Sequence, residues 1–298
     1  MKVSSIIVLF VLLVGIFFTV AYCTRQPSAS SKNTKKSSMK NKNNNKVTTS
    51  NTTGDAANNN VAVQDTNSPF KTQQMTYERV TYAYRKKLPI IKGLLKQQNI
   101  NTLNIELFIR AMKQERLVEV WARERGTKKF KLIRTYKFCE SSGALGPKRK
   151  EGDNQIPEGF YHIDRFNPVS KFHLSLGVNY PNRSDKVLGD TTALGGDIFI
   201  HGDCVTVGCI PITDNNIREL YVFAVEAKAR GQKKIPVNIF PARLDEAGFD
   251  KLKAKYEAEK PLVKFWESLK PGYQYFEETK ELPTIIFAKD GRYIVKTK

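Results

Sequence analysis

One stretch, Ile200-His201-Gly202-Asp203-Cys204-Val205-Thr206-Val207-Gly208-Cys209-Ile210-Pro211-Ile212, holds one of the chain's three histidines and two of its four cysteines. A thiol and an imidazole gathered at the end of a strand are the parts of a nucleophilic cysteine. The thiolate attacks, and the imidazole takes its proton. Cys209 is the candidate nucleophile. It follows Gly208 and comes just before a helix start at Thr213-Asp214, where a tight turn can expose the sulfur. Backbone N–H groups in such a turn can lower its pKa and hold an oxyanion. His201 is the candidate base, and Gly202, Thr206 and Gly208 are the supporting or oxyanion positions. Cys204 lies mid-loop without that setting; in an oxidising compartment it pairs with Cys139 as a disulfide. Two other uses of these residues compete. A zinc site built on His201, Cys204 and Cys209 lacks paired C-x-x-C spacing and a fourth ligand. Alternatively, the thiols and the imidazole are plain core residues.

The elements around the stretch follow from hydrophobic periodicity. Asp197-Ile198-Phe199-Ile200 reads as a buried strand ahead of it. Behind it Ile217, Leu220, Tyr221, Ala224 and Ala227 make one helix face, capped by Thr213-Asp214 and stopped at Gly231. Phe172-His173-Leu174-Ser175-Leu176-Gly177-Val178-Asn179-Tyr180 alternates strictly. That puts His173, Ser175 and Asn179 together on a small polar face, where they could line a substrate cleft. Strands are predicted in 104–109, 117–121 and 130–136, the last two joined through Arg125-Gly126-Thr127, and again in 235–240. Residues 72–98 have helical patterning interrupted at Pro89. The tail from 244 holds a helix near 249–256 and a hairpin around Asp290-Gly291. Lys148-Arg149-Lys150, in a loop rich in Gly and Pro, either steers an acidic substrate or is solvated surface.

Bulk properties bound the function class. The net charge of +20 invites a nucleic-acid reading, but the lysines are scattered and no aromatic stripe accompanies them. A polyanionic cell envelope suits the charge equally well, and nucleic acid is not the expected partner. Residues 3–24 carry no charge and follow Lys2, the layout of a secretory signal or membrane anchor, with Cys23 as a lipidation option. The stretch after it is Asn, Ser, Thr and Lys with almost no large apolar residue, a spacer that cannot bury enough surface to fold.

With these residues in view, the chain resembles the L,D-transpeptidase catalytic domain, or YkuD domain. The shared hallmark is His-Gly, a spacer, then Ser/Thr-x-Gly-Cys, here His201-Gly202 and Thr206-Val207-Gly208-Cys209. The flanks Pro157-Glu158-Gly159-Phe160-Tyr161, Arg165-Phe166-Asn167-Pro168, Phe172-His173-Leu174-Ser175-Leu176 and Asn179-Tyr180-Pro181-Asn182 are similar to a subgroup with a short spacer. So are Lys137-Phe138-Cys139 and Phe265-Trp266, and the likeness spans residues 103–298.

The resemblance implies a mainly β catalytic domain, a sandwich or mixed sheet with flanking helices, α+β overall. It implies a cysteine acyl-enzyme acting on peptidoglycan stem peptides, with no cofactor. Many members carry a histidine two residues before the cysteine. Val207 stands there in this chain, which leaves His201 as base, or His173 if its strand face points into the site. The subgroup includes a hydrolase of the bond between peptidoglycan and an attached lipoprotein. Hydrolysis and envelope-protein partners therefore stand beside crosslinking, and a non-catalytic peptidoglycan-binding protein is the reading from another class. The expected layout is 1–23 signal or anchor, the only membrane contact; 24–70 disordered linker; 71–102 helical segment; 103–243 catalytic domain; and 244–298 an extension packed on it.

Overall fold

In the computed structural model, which describes residues 68–297, the apolar runs pair into one eight-stranded mixed sheet. Its strands are β1 (Ile105–Met112), β2 (Leu117–Glu124), β3 (Lys131–Lys137), β4 (Gly159–Asn167), β5 (Ser175–Val178), β6 (Phe199–His201), β7 (Ile210–Pro211) and β8 (Pro236–Phe240). They lie in the order β3-β2-β1-β8-β4-β5-β6-β7. The pairs β1/β8 and β6/β7 are parallel and the rest antiparallel. The sheet is flanked by α1 (Pro69–Met75), α2 (Glu78–Gln97), α3 (Arg183–Leu188), α4 (Asp214–Ala229), α5 (Glu246–Lys255) and α6 (Lys260–Thr279). A separate two-stranded hairpin, β9 (Thr284–Phe287) and β10 (Tyr293–Lys296), closes the chain. This is an α+β fold on a mixed sheet, as the sequence implied.

Helices cover both faces of the central strands. Ile105, Leu107 and Ile109 of β1 and Val237 and Ile239 of β8 share a core with Ile91 of α2 and Leu220 and Ala224 of α4. The intervening residues turn to the other side. Phe108 meets Phe276 of α6, while Phe160 and Phe240 pack with Trp266 and Tyr273. Each large side chain buried in this way contributes roughly 1.5–3 kcal/mol. With both faces covered, the strands read as runs of apolar residues rather than as a clean alternation.

That double cover corrects one expectation. The alternating segment 172–180 contains only a four-residue strand, and all four residues, Ser175 included, are buried. Leu176 and Val178 enter the main core. His173 has left the strand with φ of 70°, and Phe172 is exposed. Two helix details differ as well. The break in the first helical segment falls at Thr76-Tyr77, and α2 runs on through Pro89, whose position on the exposed face lets water take the place of the lost bond. Thr213 stands at the N-cap of α4 but makes no capping bond. Asp214 instead binds the Asp203 N–H through Oδ1 at 2.9 Å, tying the helix start to the 202–209 loop. Among the described residues no helix is long and apolar enough to cross a membrane. The signal or anchor at 1–23 and the linker as far as residue 67 lie outside the described residues, and α1 begins at Pro69.

Candidate active site

The turn that carries Cys209, the candidate nucleophile, is built by hydroxyl groups. Thr206 Oγ1 accepts the Cys209 N–H at 3.0 Å and donates to the Cys209 carbonyl at 2.8 Å, closing a small ring behind the thiol. Gly208 has φ of 84°, and a Cβ there would come 3.0 Å from the Gln155 carbonyl, so only glycine fits. Its N–H donates to Ser142 Oγ at 2.7 Å. The Gly208 amide, one of the positions expected to serve an oxyanion, is therefore occupied by a hydroxyl, and so is the Cys209 amide. Ser142 arrives from a loop 66 residues earlier, and no local pattern pointed to it. The only clue was its position three residues after Cys139, which bridges to Cys204 with a Cα–Cα distance of 5.5 Å. The disulfide binds together the loop that supplies Ser142 and the loop that supplies Cys209.

The Cys209 thiol is half-buried and free. It accepts the Phe199 N–H at 3.4 Å and donates to the Asp197 carbonyl at 3.5 Å. Burial pushes its pKa up, and the Phe199 N–H offsets this only in part, so the resting sulfur is a thiol. This reverses the expectation that backbone amides would depress it. Val205 and Val207 beside it are exposed, Val207 by 71%, and offer apolar contact where an imidazole was absent from the sequence.

His201 lies in β6 opposite Pro211 in the parallel pairing, two residues past Cys209, and opposite Ser175 on the other side. Its Nδ1 bonds the Gly202 carbonyl. A carbonyl can only accept, so Nδ1 carries the proton and Nε2 is a bare lone pair. That Nε2 is buried and has no hydrogen-bond partner among the described residues. Burial lowers the ring's pKa, keeping it neutral. Phe172 covers the ring at 4.6 Å between centroids. Gly202 allows the tight approach of Asp214 and the Phe172 carbonyl, where a Cβ would meet atoms at 2.5 and 2.8 Å. Its own N–H is spent on the Phe172 and Leu174 carbonyls, so it is not an oxyanion donor.

The remaining sequence candidates are elsewhere. His173 accepts from Arg218 Nε at 2.8 Å through Nε2 and faces Asp214 at 3.8 Å. It lines a cavity of about 470 Å³ with Arg79 and Lys171, one that does not include Cys209. Ser175, buried beside His201, cannot line a cleft. Asn179 accepts the His162 N–H at 2.6 Å and belongs to another groove with Tyr161 and Pro236. Lys148 is buried on Asp153, and Arg149 packs over Phe265, so neither is a free steering charge. Among the described residues no group of three or more His, Cys, Asp or Glu is arranged to hold a metal.

Residues 107–239 match the family model of the L,D-transpeptidase catalytic domain, YkuD. The chain is 37% identical over 191 residues to "Putative L,D-transpeptidase YafK" of Escherichia coli (strain K12), covering 63% of this chain and 73% of that protein. The chain belongs to the L,D-transpeptidase family. Among solved structures, the helical cell shape determining protein Pgp2 from Campylobacter jejuni aligns at 22% identity with a TM-score of 0.38, over 62% of this chain and 73% of that one. Mycobacterium tuberculosis L,D-transpeptidase 1 aligns at 14% identity with a TM-score of 0.26, over 45% and 62%. Members of the L,D-transpeptidase family modify peptidoglycan. The family match runs from within β1 to within β8 and so takes in His201 on β6 and Cys209 just ahead of β7.

Proposed function

We propose that this L,D-transpeptidase works through Cys209 as nucleophile and His201 as its base, on peptidoglycan stem peptides. The observation that carries the reading is the neutral His201 ring, whose unoccupied lone pair is buried on β6, paired with the short strand β7 that directly follows Cys209. In the resting state the thiol is bonded to backbone rather than to the imidazole. Catalytic contacts often tighten only when substrate is bound. As Sγ attacks the carbonyl carbon, its proton passes to His201 Nε2. The peptide C–N bond then breaks, and the imidazolium returns that proton to the departing amine of the D-residue. An incoming amine or water loses a proton to His201 as it cleaves the thioester, restoring the thiol. The Ser142 hydroxyl accepts from Gly208 and keeps its own proton, which it can donate to the tetrahedral oxyanion.

In this reading residues 103–243 are the catalytic domain. Residues 244–298 brace it, with Trp266 Nε1 bonded to Glu158 at 2.7 Å. Residues 1–23 export the chain to the envelope as a cleaved signal or anchor, the tether runs from 24 as far as α1, and the helical segment starts with α1 at Pro69 rather than at 71. The Cys139–Cys204 disulfide supports an oxidising compartment. Purified sacculi incubated with the protein and read by mass spectrometry test the reaction. New crosslinks mean transfer to an amine. Shortened stems, or released envelope proteins once attached to peptidoglycan, mean transfer to water. No change in any product contradicts the proposal.

A further inference from the structure

Arg165 crosses the sheet toward the nucleophile, and the sheet is shaped to let it. It sits on β4 directly opposite Gly177 of β5, and Gly177 sits opposite Phe199 of β6. The three positions form one row leading to the strand whose N–H holds Cys209 Sγ. A Cβ at Gly177 would stand 2.6 Å from Asp164 Oδ1 and 3.0 Å from Arg165 Nε, so the missing side chain is the channel in which the arginine lies. The register shift between Ile163 and Arg165 inserts Asp164 and re-aims the arginine, as bulges do.

The guanidinium ends 4.8 Å from the centre of the Phe199 ring. Nε faces Asp164 at 3.3 Å and Nη1 bonds Asp197 Oδ1 at 2.8 Å, while the carbonyl of that same Asp197 accepts from the thiol. The arginine side chain is 46% exposed and the Asp197 side chain 81%. An exposed ion pair of this kind is worth at most about 1 kcal/mol, so Asp197 is a readily displaced occupant. A stacked, planar guanidinium presenting a fork of donors is the natural partner of a carboxylate.

We infer that Arg165 is a specificity residue that receives a carboxylate of the substrate close to the scissile bond, taking it from Asp197. The inference rests on the acyl-transfer reading of Cys209. Two carboxylates of a stem peptide meet the description: the terminal α-carboxylate of the departing D-residue, and the side-chain carboxylate of the diamino acid that is acylated onto sulfur. Both lie within about two residue lengths of the attacked carbonyl, roughly 7 Å of extended chain.

The test is steady-state kinetics of the full chain on four synthetic stem tetrapeptides: unmodified, amidated at the terminal carboxylate, amidated at the side-chain carboxylate, and amidated at both. For Arg165→Gln, KM rises about 10- to 100-fold on peptides that retain the recognised carboxylate, the span of a charged hydrogen bond. On peptides lacking it KM is unchanged, and kcat holds throughout. Whichever single amidation abolishes the difference names the carboxylate. Gly177→Ala, which displaces the guanidinium without removing it, gives the same selective loss. An equal loss on all four peptides makes Arg165 structural, and no loss on any means that it touches no carboxylate; either result overturns the inference. If the wild-type protein turns over none of the four, the acyl-transfer reading itself falls and takes the inference with it.

Discussion

Two histidines lie on either side of Leu174-Ser175, and they are held in opposite ways. His201 gives its proton to its own neighbour's carbonyl and keeps an empty lone pair in a buried place. His173, in a left-handed turn, accepts from Arg218 with Nε2 and sits near Asp214 with Nδ1. Both rings are held below the usual histidine pKa by burial. Equal neutrality does not make them equal bases. A lone pair already filled by a guanidinium cannot take a thiol proton, whereas one that is buried and unfilled gains a partner by doing so. Availability of the lone pair, rather than titration, separates the proposed base, His201, from His173.

The largest effect expected is at the sulfur. Cys209→Ala reduces turnover of stem peptides to background, and residual thioester chemistry in that variant, detected by mass, breaks the account. Next comes the histidine pair itself. His201→Gln lowers kcat/KM about 10²- to 10⁴-fold, the usual worth of a positioned base, while His173→Gln changes it less than about threefold. Reversed effects would put the base in the other cavity. The pH dependence of alkylation sharpens the point. Because burial raises the Cys209 pKa, its iodoacetamide rate climbs about tenfold per pH unit from pH 7 upward. A rate already level at pH 7 would reveal a thiolate–imidazolium pair at rest. The smallest effect is at the crosslink. Replacing Cys139 and Cys204 together by Ser costs about 2–4 kcal/mol of stability, measured by denaturant unfolding, while Cys209 labelling persists.

The central facts of the fold were legible because they are local. The His201 to Cys209 spacing is that of the single loop from the end of β6 to the start of β7, so nine residues carried both partners. The strands on either side of Arg125-Gly126-Thr127 were marked by a turn signal and emerged as β2 and β3. What stayed hidden depends on contacts far apart in sequence. Ser142 meets Gly208 from another loop, and Arg165 reaches Phe199 across a glycine on the strand between them. The segment around β5 misled for a different reason. Its alternation is real and Leu176 and Val178 enter the core with α4, but Ser175 pairs with His201 of β6 and is buried rather than open. Asn179 was drawn away by a backbone amide, that of His162. The thiol pKa runs against expectation because burial raises it, while the Gly208 and Cys209 amides are satisfied by hydroxyls.

The most direct test is a single-turnover reaction of the full chain with a stem tetrapeptide, quenched in acid and mapped by peptide mass spectrometry. Run in parallel on the wild type, His201→Gln and His173→Gln, it reads acylation alone. The account predicts a peptidyl adduct on Cys209 that forms at the same rate in the wild type and His173→Gln and at least about a hundredfold more slowly in His201→Gln. An adduct on any other residue, or one whose rate depends on His173 and not on His201, contradicts it.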